Sequence, residues 1–171
     1  VKGLKLEKES QIIYSQALAE IEIHLGDAKE ALVEIAKTYK IFKEINPFTY
    51  ISETKKIEAM AYSKLKDYEK AEALFEESYN LAVKYNQYFE LCNAAVKWAD
   101  MLMEQNRVDE AIEKYNQILE TAENYQFYQL LRYCYHKLYS IYKERNLLAE
   151  SLACLEKFTY IDKKLYNYHS S

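Results

Sequence analysis

Apolar residues along this chain recur at helical spacing, and whole helical patterns then recur at a longer fixed interval. Within the stretch Tyr68–Tyr85, Leu74, Tyr79, Leu81 and Tyr85 lie near helical spacing, with Glu and Lys between them. Ala31, Ala71, Ala111 and Ser151 follow one another at intervals of 40 residues. Ala19, Ala59 and Ala99 form a second column, broken by Tyr139. Ile35, Phe75, Tyr115 and Leu155 form a third, of large apolar residues, and Ile45, Tyr85, Tyr125 and Leu165 a fourth. Asp27 and Asp67 share a column that Arg107 and Leu147 leave. Self-similarity at one period across the chain marks a repeat architecture.

Each unit reads as two helices, A and B, joined at a short turn. The expected helices are Glu7–Leu25, Ala28–Ile45, Tyr50–Leu65, Tyr68–Tyr85, Tyr88–Gln105, Val108–Tyr125, Tyr128–Arg145 and Leu148–Tyr168. Gly26 can take the left-handed conformation that ends helix A, and Asp27 can cap the start of helix B. Lys66-Asp67 marks the same turn in the second copy, and Asn106 and Asn146 serve like Gly26 in the third and fourth. Asn46-Pro47 stops one helix because Pro lacks a donor and restricts its predecessor, while Asn86-Gln87 and Gln126-Phe127 are milder breaks. The small residues let paired helices approach, and the large ones fill the grooves between successive pairs. One pair cannot bury its apolar faces alone, so stacked pairs share an elongated core.

The runs HLGDAKEALVEIAKTYK, KLKDYEKAEALFEESYNLA and EQNRVDEAIEKYNQILE resemble the turn and second helix of a tetratricopeptide repeat (TPR). The resemblance lies in the turn Asp, the small residue four positions on and the large residue four beyond that. It covers nearly the whole chain and degenerates in the fourth copy, where Ser151 and Tyr139 depart from their columns. It implies an all-α, right-handed α-solenoid of four repeats, at about 7–46, 47–86, 87–126 and 127–168, in one domain. The usual TPR is about 34 residues, and long repeats of this kind resemble those of bacterial signalling proteins and peptide-responsive regulators. In that family ligands lie along a concave face built from helix A. Here that face implies a groove lined by Gln16, Glu20, Glu53, Lys56, Met60, Asn93, Asp100, Tyr133, His136 and Ser140, with Lys97 and Lys143 beside them. The mixed signs argue against a binder of acidic tails and suit an extended peptide or a partner helix.

Composition sharpens this picture. Two Gly and one Pro in 171 residues leave too little turn chemistry for a β-rich fold. A net charge of −4 disfavours a nucleic-acid surface, and no apolar run is long enough for a membrane span. The start VKGLKLEKES has no apolar signal core. Cys92, Cys134 and Cys154 lack CxxC spacing and read as reduced thiols of a cytoplasmic protein. Because the chain begins with Val and ends in a helical pattern, it reads as a piece of a longer protein.

No catalytic or metal constellation stands out, and no cofactor is expected. His24, His136 and His169 are scattered, Glu20 and His24 supply at most half a metal site, and Cys134 and His136 point apart on a helix. Tyrosine is the unusual residue, with 18 copies against six Phe. Tyr62, Tyr79, Tyr85, Tyr115 and Tyr125 fall in expected core columns, and Tyr133, Tyr135, Tyr139 and Tyr142 crowd the last helix A. These four either line a recognition surface or pack against a further neighbour. In the C-terminal stretch LEKFTYIDKKLYNYHSS, Phe158, Ile161, Leu165 and Tyr168 form a seam that could pair two chains into a homodimer, and the stretch resembles the segment that leads into a diguanylate cyclase or histidine kinase output module. The sequence therefore reads as the sensory or regulatory interaction module of a signalling protein, with a constitutive scaffold or the peptide-binding part of a transcriptional regulator as alternatives.

Overall fold

The computed structural model describes residues 2–170, apart from the side chain of Tyr168, which the seam above includes and which lies outside the described residues. They are all-helical: α1 Lys2–Leu25, α2 Ala28–Phe42, α3 Ile51–Lys64, α4 Tyr68–Lys84, α5 Tyr88–Glu104, α6 Val108–Gln117, α7 Leu119–Asn124, α8 Tyr128–Glu144 and α9 Leu148–Ser170. Helix A of each repeat is α1, α3, α5 and α8. Helix B is α2, α4, the pair α6 and α7, and α9.

One turn recurs throughout. Gly26, Lys66, Asn86, Asn106, Gln126 and Asn146 all have positive φ. At Asn86 the amide N–H donates to the Val83 carbonyl at 3.2 Å, and the Gln87 N–H donates to that of Ala82 at 2.8 Å. The same pair of bonds closes the ends of α1, α3, α5, α7 and α8, satisfying carbonyls that a helix end leaves bare. The Asn86 and Gln126 breaks thus have the same geometry as Gly26. The 40-residue repeat is built from two 20-residue steps, each typically 17 helical residues and three of turn, as in α4 followed by Tyr85, Asn86 and Gln87.

The exception has a cause in one residue. At the end of α2 the second of these bonds would need the N–H of residue 47, and Pro47 has none. Accordingly α2 stops at Phe42, short of the expected Ile45, and Asn46 stays out of the left-handed region. The chain instead turns through Phe48 N–H donating to Asn46 Oδ1 at 3.3 Å and Tyr50 N–H donating to the Pro47 carbonyl at 2.8 Å. The third helix B also differs from its expected single span, breaking at Ile118 into α6 and α7. Two residues earlier, Asn116 donates its side-chain amide to the Ile112 carbonyl at 3.0 Å, competing with the backbone ladder as Asn does within helices.

Helix starts follow the side chain at the cap. Asp27 and Asp67 accept from the N–H groups of Glu30 and Lys70, at 3.1 and 3.4 Å. Arg107 cannot accept, and it instead grips Glu110 with Nε and a terminal nitrogen at 2.7 and 2.6 Å.

The chain packs as two compact units, residues 1–94 and 95–171, with the boundary inside α5. In the first, Ala19, Ile23, Ala28, Ala31, Ile35, Ile57 and Ala61 form the core, with Leu32, Tyr39 and Met60 against it. Ser52 and Ser78 are fully buried and trade hydroxyl bonds to each other's carbonyls at 2.9 and 2.7 Å, which lets α3 and α4 lie close. In the second unit, Ala99, Ala111, Tyr115, Ile118, Leu131, Leu138 and Ile141 are buried. The Ala31, Ala71, Ala111 and Ser151 column is buried throughout. Two expected core positions are not: Tyr125 and Leu155 are exposed.

Two outcomes test this geometry. Lys66 is exposed and left-handed, so Lys66→Gly should remove strain of about 1–2 kcal/mol at a smaller entropic loss, raising the urea midpoint. Ala71→Leu should overpack a site with no spare room and destabilise by about 1–3 kcal/mol, read from the same urea titration.

Candidate functional site

In the first unit, the close approach of the A helices gathers charge. Lys56 on α3 is buried, with its side chain 2% exposed, and its Nζ lies 3.4 Å from Glu20 Oε1 on α1. Glu53, one turn before it on α3, and Glu90, at the start of α5, complete the group. Burial raises the carboxyl pKa of Glu53 above its ordinary value, Lys56 opposes this and Glu20 adds to it. Glu90 is shifted upward by burial first, then by the Glu53 charge, and Glu20 adds while Lys56 opposes. Glu90 Oε2 is buried without a hydrogen-bond partner. Three carboxylates thus share one ammonium, and the excess is negative.

Glu90 was not among the residues expected from the sequence. Its column reads Ser10, Tyr50, Glu90, Leu130, so an acidic residue stands among largely uncharged neighbours three residues ahead of Asn93 on the same helix face. That mismatch was the available signal.

The other expected groove residues of the first unit differ in burial. Gln16 is buried, donating its side-chain amide to Thr54 Oγ1 at 2.9 Å and the Tyr50 carbonyl at 3.3 Å, so it ties α1 to α3. Lys56 is likewise inside. Both are buried because neighbouring A helices enclose these positions. Met60 packs on the core. Asn93 and Lys97 are half-buried.

The second unit holds a separate network. Asp100 accepts from Tyr115 at 2.5 Å through Oδ1 and from Tyr133 at 2.8 Å through Oδ2, joining α5, α6 and α8. Tyr115 stands in the column of Ile35 and Phe75, and its added hydroxyl is what reaches the carboxylate. His136 is exposed with its ring 5.6 Å from that of Phe158, Ser140 donates to the His136 carbonyl at 3.1 Å, and Lys143 lies 5.6 Å from the Tyr139 ring centre. Cys134 is buried while His136 is exposed, so the two do not meet.

Tyrosine turns out to be a two-sided connector. Tyr39 donates to Glu58 with Lys55 over its ring at 5.2 Å, and Tyr135 donates to Glu123 at 2.7 Å. Lys70 sits over Tyr62 and Lys137 over Tyr133, at 4.5 and 5.4 Å. In the crowded last helix A, Tyr133, Tyr135, Tyr139 and Tyr142 each have a partner, Tyr142 accepting from Asn116 at 3.4 Å. Burial and the neighbouring carboxylate push Tyr39, Tyr115, Tyr133 and Tyr135 well above the ordinary tyrosine pKa.

The three cysteines are free and buried. Burial pushes the Cys92 thiol up to about 11 and raises Cys154, which keeps both as poorly nucleophilic thiols. Among the described residues no group of three or more His, Cys, Asp or Glu is placed to hold a metal ion, and no helix is long and apolar enough to cross a membrane.

The charge clusters give a pH signature. A folded-state pKa raised above the unfolded value contributes stability that is complete below the unfolded pKa and fades as pH rises beyond it. For the tyrosines that reference is 10.0, so stability should fall as pH climbs past about 10. Tyr115→Phe should lower stability by about 1–3 kcal/mol at neutral pH and flatten the alkaline fall. For Glu90 the reference is 4.5, so Glu90→Gln should be more stable than the parent at pH 7, with the gain shrinking as pH falls toward 4.5. Urea titrations across pH read both.

No model of a known protein family matches the sequence, and no curated protein matches it. Solved structures do. The crystal structure of aspartyl phosphate phosphatase F from Bacillus subtilis superposes with a TM-score of 0.84 at 15% identity, over 91% of this chain and 41% of that one. BtubC (BKLC) from P. vanneervenii follows at 0.78 and 14% identity, over 94% of this chain and 65% of that one. A putative kinesin light chain from Podosopora anserina, with nearly identical TPR-like repeats, gives 0.69 and 18%, over 91% of this chain and 76% of that one. The chain therefore spans under half the length of the phosphatase and about two thirds of BtubC. At these identities the likeness shows the fold: this chain has the all-helical architecture of TPR-like repeat proteins.

Proposed function

We propose that this chain is a protein-interaction repeat module whose first unit receives a peptide or partner helix through a basic side chain. The carrying observation is the Glu20–Glu53–Glu90 cluster around buried Lys56, with a Glu90 oxygen left without a partner. Holding carboxylates in a half-buried site raises their pKa and leaves their charge incompletely compensated. A Lys or Arg from a partner relieves that penalty, and a charge-assisted bond to Glu90 completes the set. An acidic ligand has the opposite effect. Sites of this kind are held on rigid helices at a cost in stability, as binding sites commonly are.

The finer reading is that the module is the sensory or regulatory part of a longer cytoplasmic signalling protein, with residues 1–171 forming one repeat domain and no catalysis of its own. A ligand would act there by favouring one of two states of the whole protein. The similar solved structures carry names as different as a phosphatase and a kinesin light chain, so the fold supports interaction in general and selects none of their tasks.

Fluorescent twelve-residue probes, one rich in Lys and one rich in Glu, titrated with the 171-residue chain, test the site. The basic probe should bind, weaken with added salt, and lose about tenfold in affinity in Glu53→Gln/Glu90→Gln, a loss of about 1.4 kcal/mol. Equal binding of the two probes, or an unchanged affinity in the double variant, would sink the assignment. Because Glu90→Gln is expected to gain stability, lost binding cannot be blamed on unfolding.

A further inference from the structure

Two buried oxygens at the start of α5 have no hydrogen-bond donor, and they belong to side chains of different kinds. Gln87 immediately precedes α5, and its carbonyl accepts from the Leu91 N–H at 2.9 Å, so it caps the first turn of that helix. Its side-chain nitrogen donates to the carbonyls of Thr49 and Phe48, at 3.1 and 3.4 Å. Those two acceptors fix the orientation of the amide, because the flipped form would set its oxygen against two carbonyl oxygens. Gln87 Oε1 is therefore the atom left over, buried and without a partner. Three residues on, Glu90 Oε2 is in the same state.

Both side chains lie against the start of α3. Gln87 is bonded to Thr49, and the charge of Glu53, four residues further along the chain, acts on Glu90. Positions three apart share a helix face, so the two oxygens border the Lys56 cluster from the α5 side. Lys56 Nζ pairs with Glu20 Oε1 on α1, at 3.4 Å, and is bonded to neither of them. The Gln87 oxygen is an observation independent of the carboxylates, since it carries no charge. Nor does the repeat itself require it, because the same column holds Pro47 and Phe127.

A buried acceptor without a donor is costly. Two of them on one turn suit a ligand that brings several donors, and the three carboxylates require it to be a cation. An ammonium gathers its three donors on one nitrogen, whereas a guanidinium spreads five over three nitrogens in one plane. Separate nitrogens of a guanidinium can therefore serve a carboxylate and a neighbouring amide oxygen at once. We propose that the cation received here is an arginine side chain of the partner, whose guanidinium donates to Glu90 Oε2 and Gln87 Oε1 together. This rests on the reading of the first unit as a receiver of basic side chains, and it adds Gln87 as the residue that selects arginine over lysine. Lysine answers the carboxylates as a charge but leaves the Gln87 oxygen without a donor.

Three fluorescent twelve-residue probes, identical except for a central arginine, lysine or dimethylarginine, are titrated with the 171-residue chain. The arginine probe should bind about tenfold more tightly than the lysine probe. Dimethylarginine keeps the charge but loses paired hydrogen bonding, so it should fall to the lysine level. In Gln87→Met the arginine probe should lose its tenfold advantage while the lysine probe keeps its affinity, a split that a general loosening of the site would not produce. Circular dichroism checks the fold of the variant, and if helicity is lost the dimethylarginine comparison on the parent chain decides. Equal binding of arginine and lysine overturns this inference and leaves the basic-ligand reading standing. A dimethylarginine probe as tight as arginine, or an equal loss for both probes in Gln87→Met, overturns it too. Binding of none of the three overturns both readings.

Discussion

The left-handed residue that follows α1, α3, α4, α5, α7 and α8 governs the rest of the molecule. Ending a helix there does two things at once: it satisfies two carbonyls and it reverses the chain within three residues. Because the step is 20 residues each time, each helix presents the same columns to its neighbours. Ala31 can then meet the same kind of surface as Ala71 and Ala111. A helix one residue longer would rotate its apolar stripe by about 100° out of the core. Pro47 shows the constraint from the other side, since removing one N–H shortens α2 and forces a different connection.

Between paired helices a side chain often has one end in the core and the other near water, and tyrosine fits that situation. Its ring buries apolar area while its hydroxyl finds an acceptor. Tyr39, Tyr115, Tyr133 and Tyr135 all end on carboxylates, and several of the other rings lie under a lysine. Joining helices thereby accounts for the preference over Phe at these positions. Asp100 is the clearest example, because two hydroxyls from different helices converge on its two oxygens.

Much of the architecture was legible because it depends on periodicity. Small residues recurring at one interval and turn residues between them specify pairs of helices, and the Ala31 column is buried as that reasoning requires. What escaped depends on single atoms. The 20-residue half-step was hidden because Lys66, Asn86 and Gln126 share a backbone conformation without sharing a side-chain chemistry. The groove row was harder still, since a polar residue on a helix face can point to water or into a neighbouring helix. Gln16 and Lys56 do the latter because Thr54 and Glu20 are there to receive them. Glu90 required knowing that α5 begins beside α3, which spacing along one helix does not say.

The Lys56 cluster is also where the molecule departs most from what stability alone would select. Replacing a buried ion pair with well-packed apolar residues is often neutral or stabilising, whereas leaving a carboxylate without its counter-charge is costly. Here one ammonium faces three carboxylates, two of them held above their ordinary pKa by burial. Eighty residues on, in the second unit, Asp100 stands in the column of Glu20, Tyr133 in that of Glu53 and His136 in that of Lys56: there Asp100 accepts from two hydroxyls, one of them that of Tyr133, and His136 is exposed. The fold therefore accommodates a version of this face in which the carboxylate accepts hydrogen bonds from two hydroxyls, and the first unit does not use it. An incompletely neutralised carboxylate held on rigid helices is what recognition of a cation requires, because the binding partner supplies the charge that the protein itself withholds.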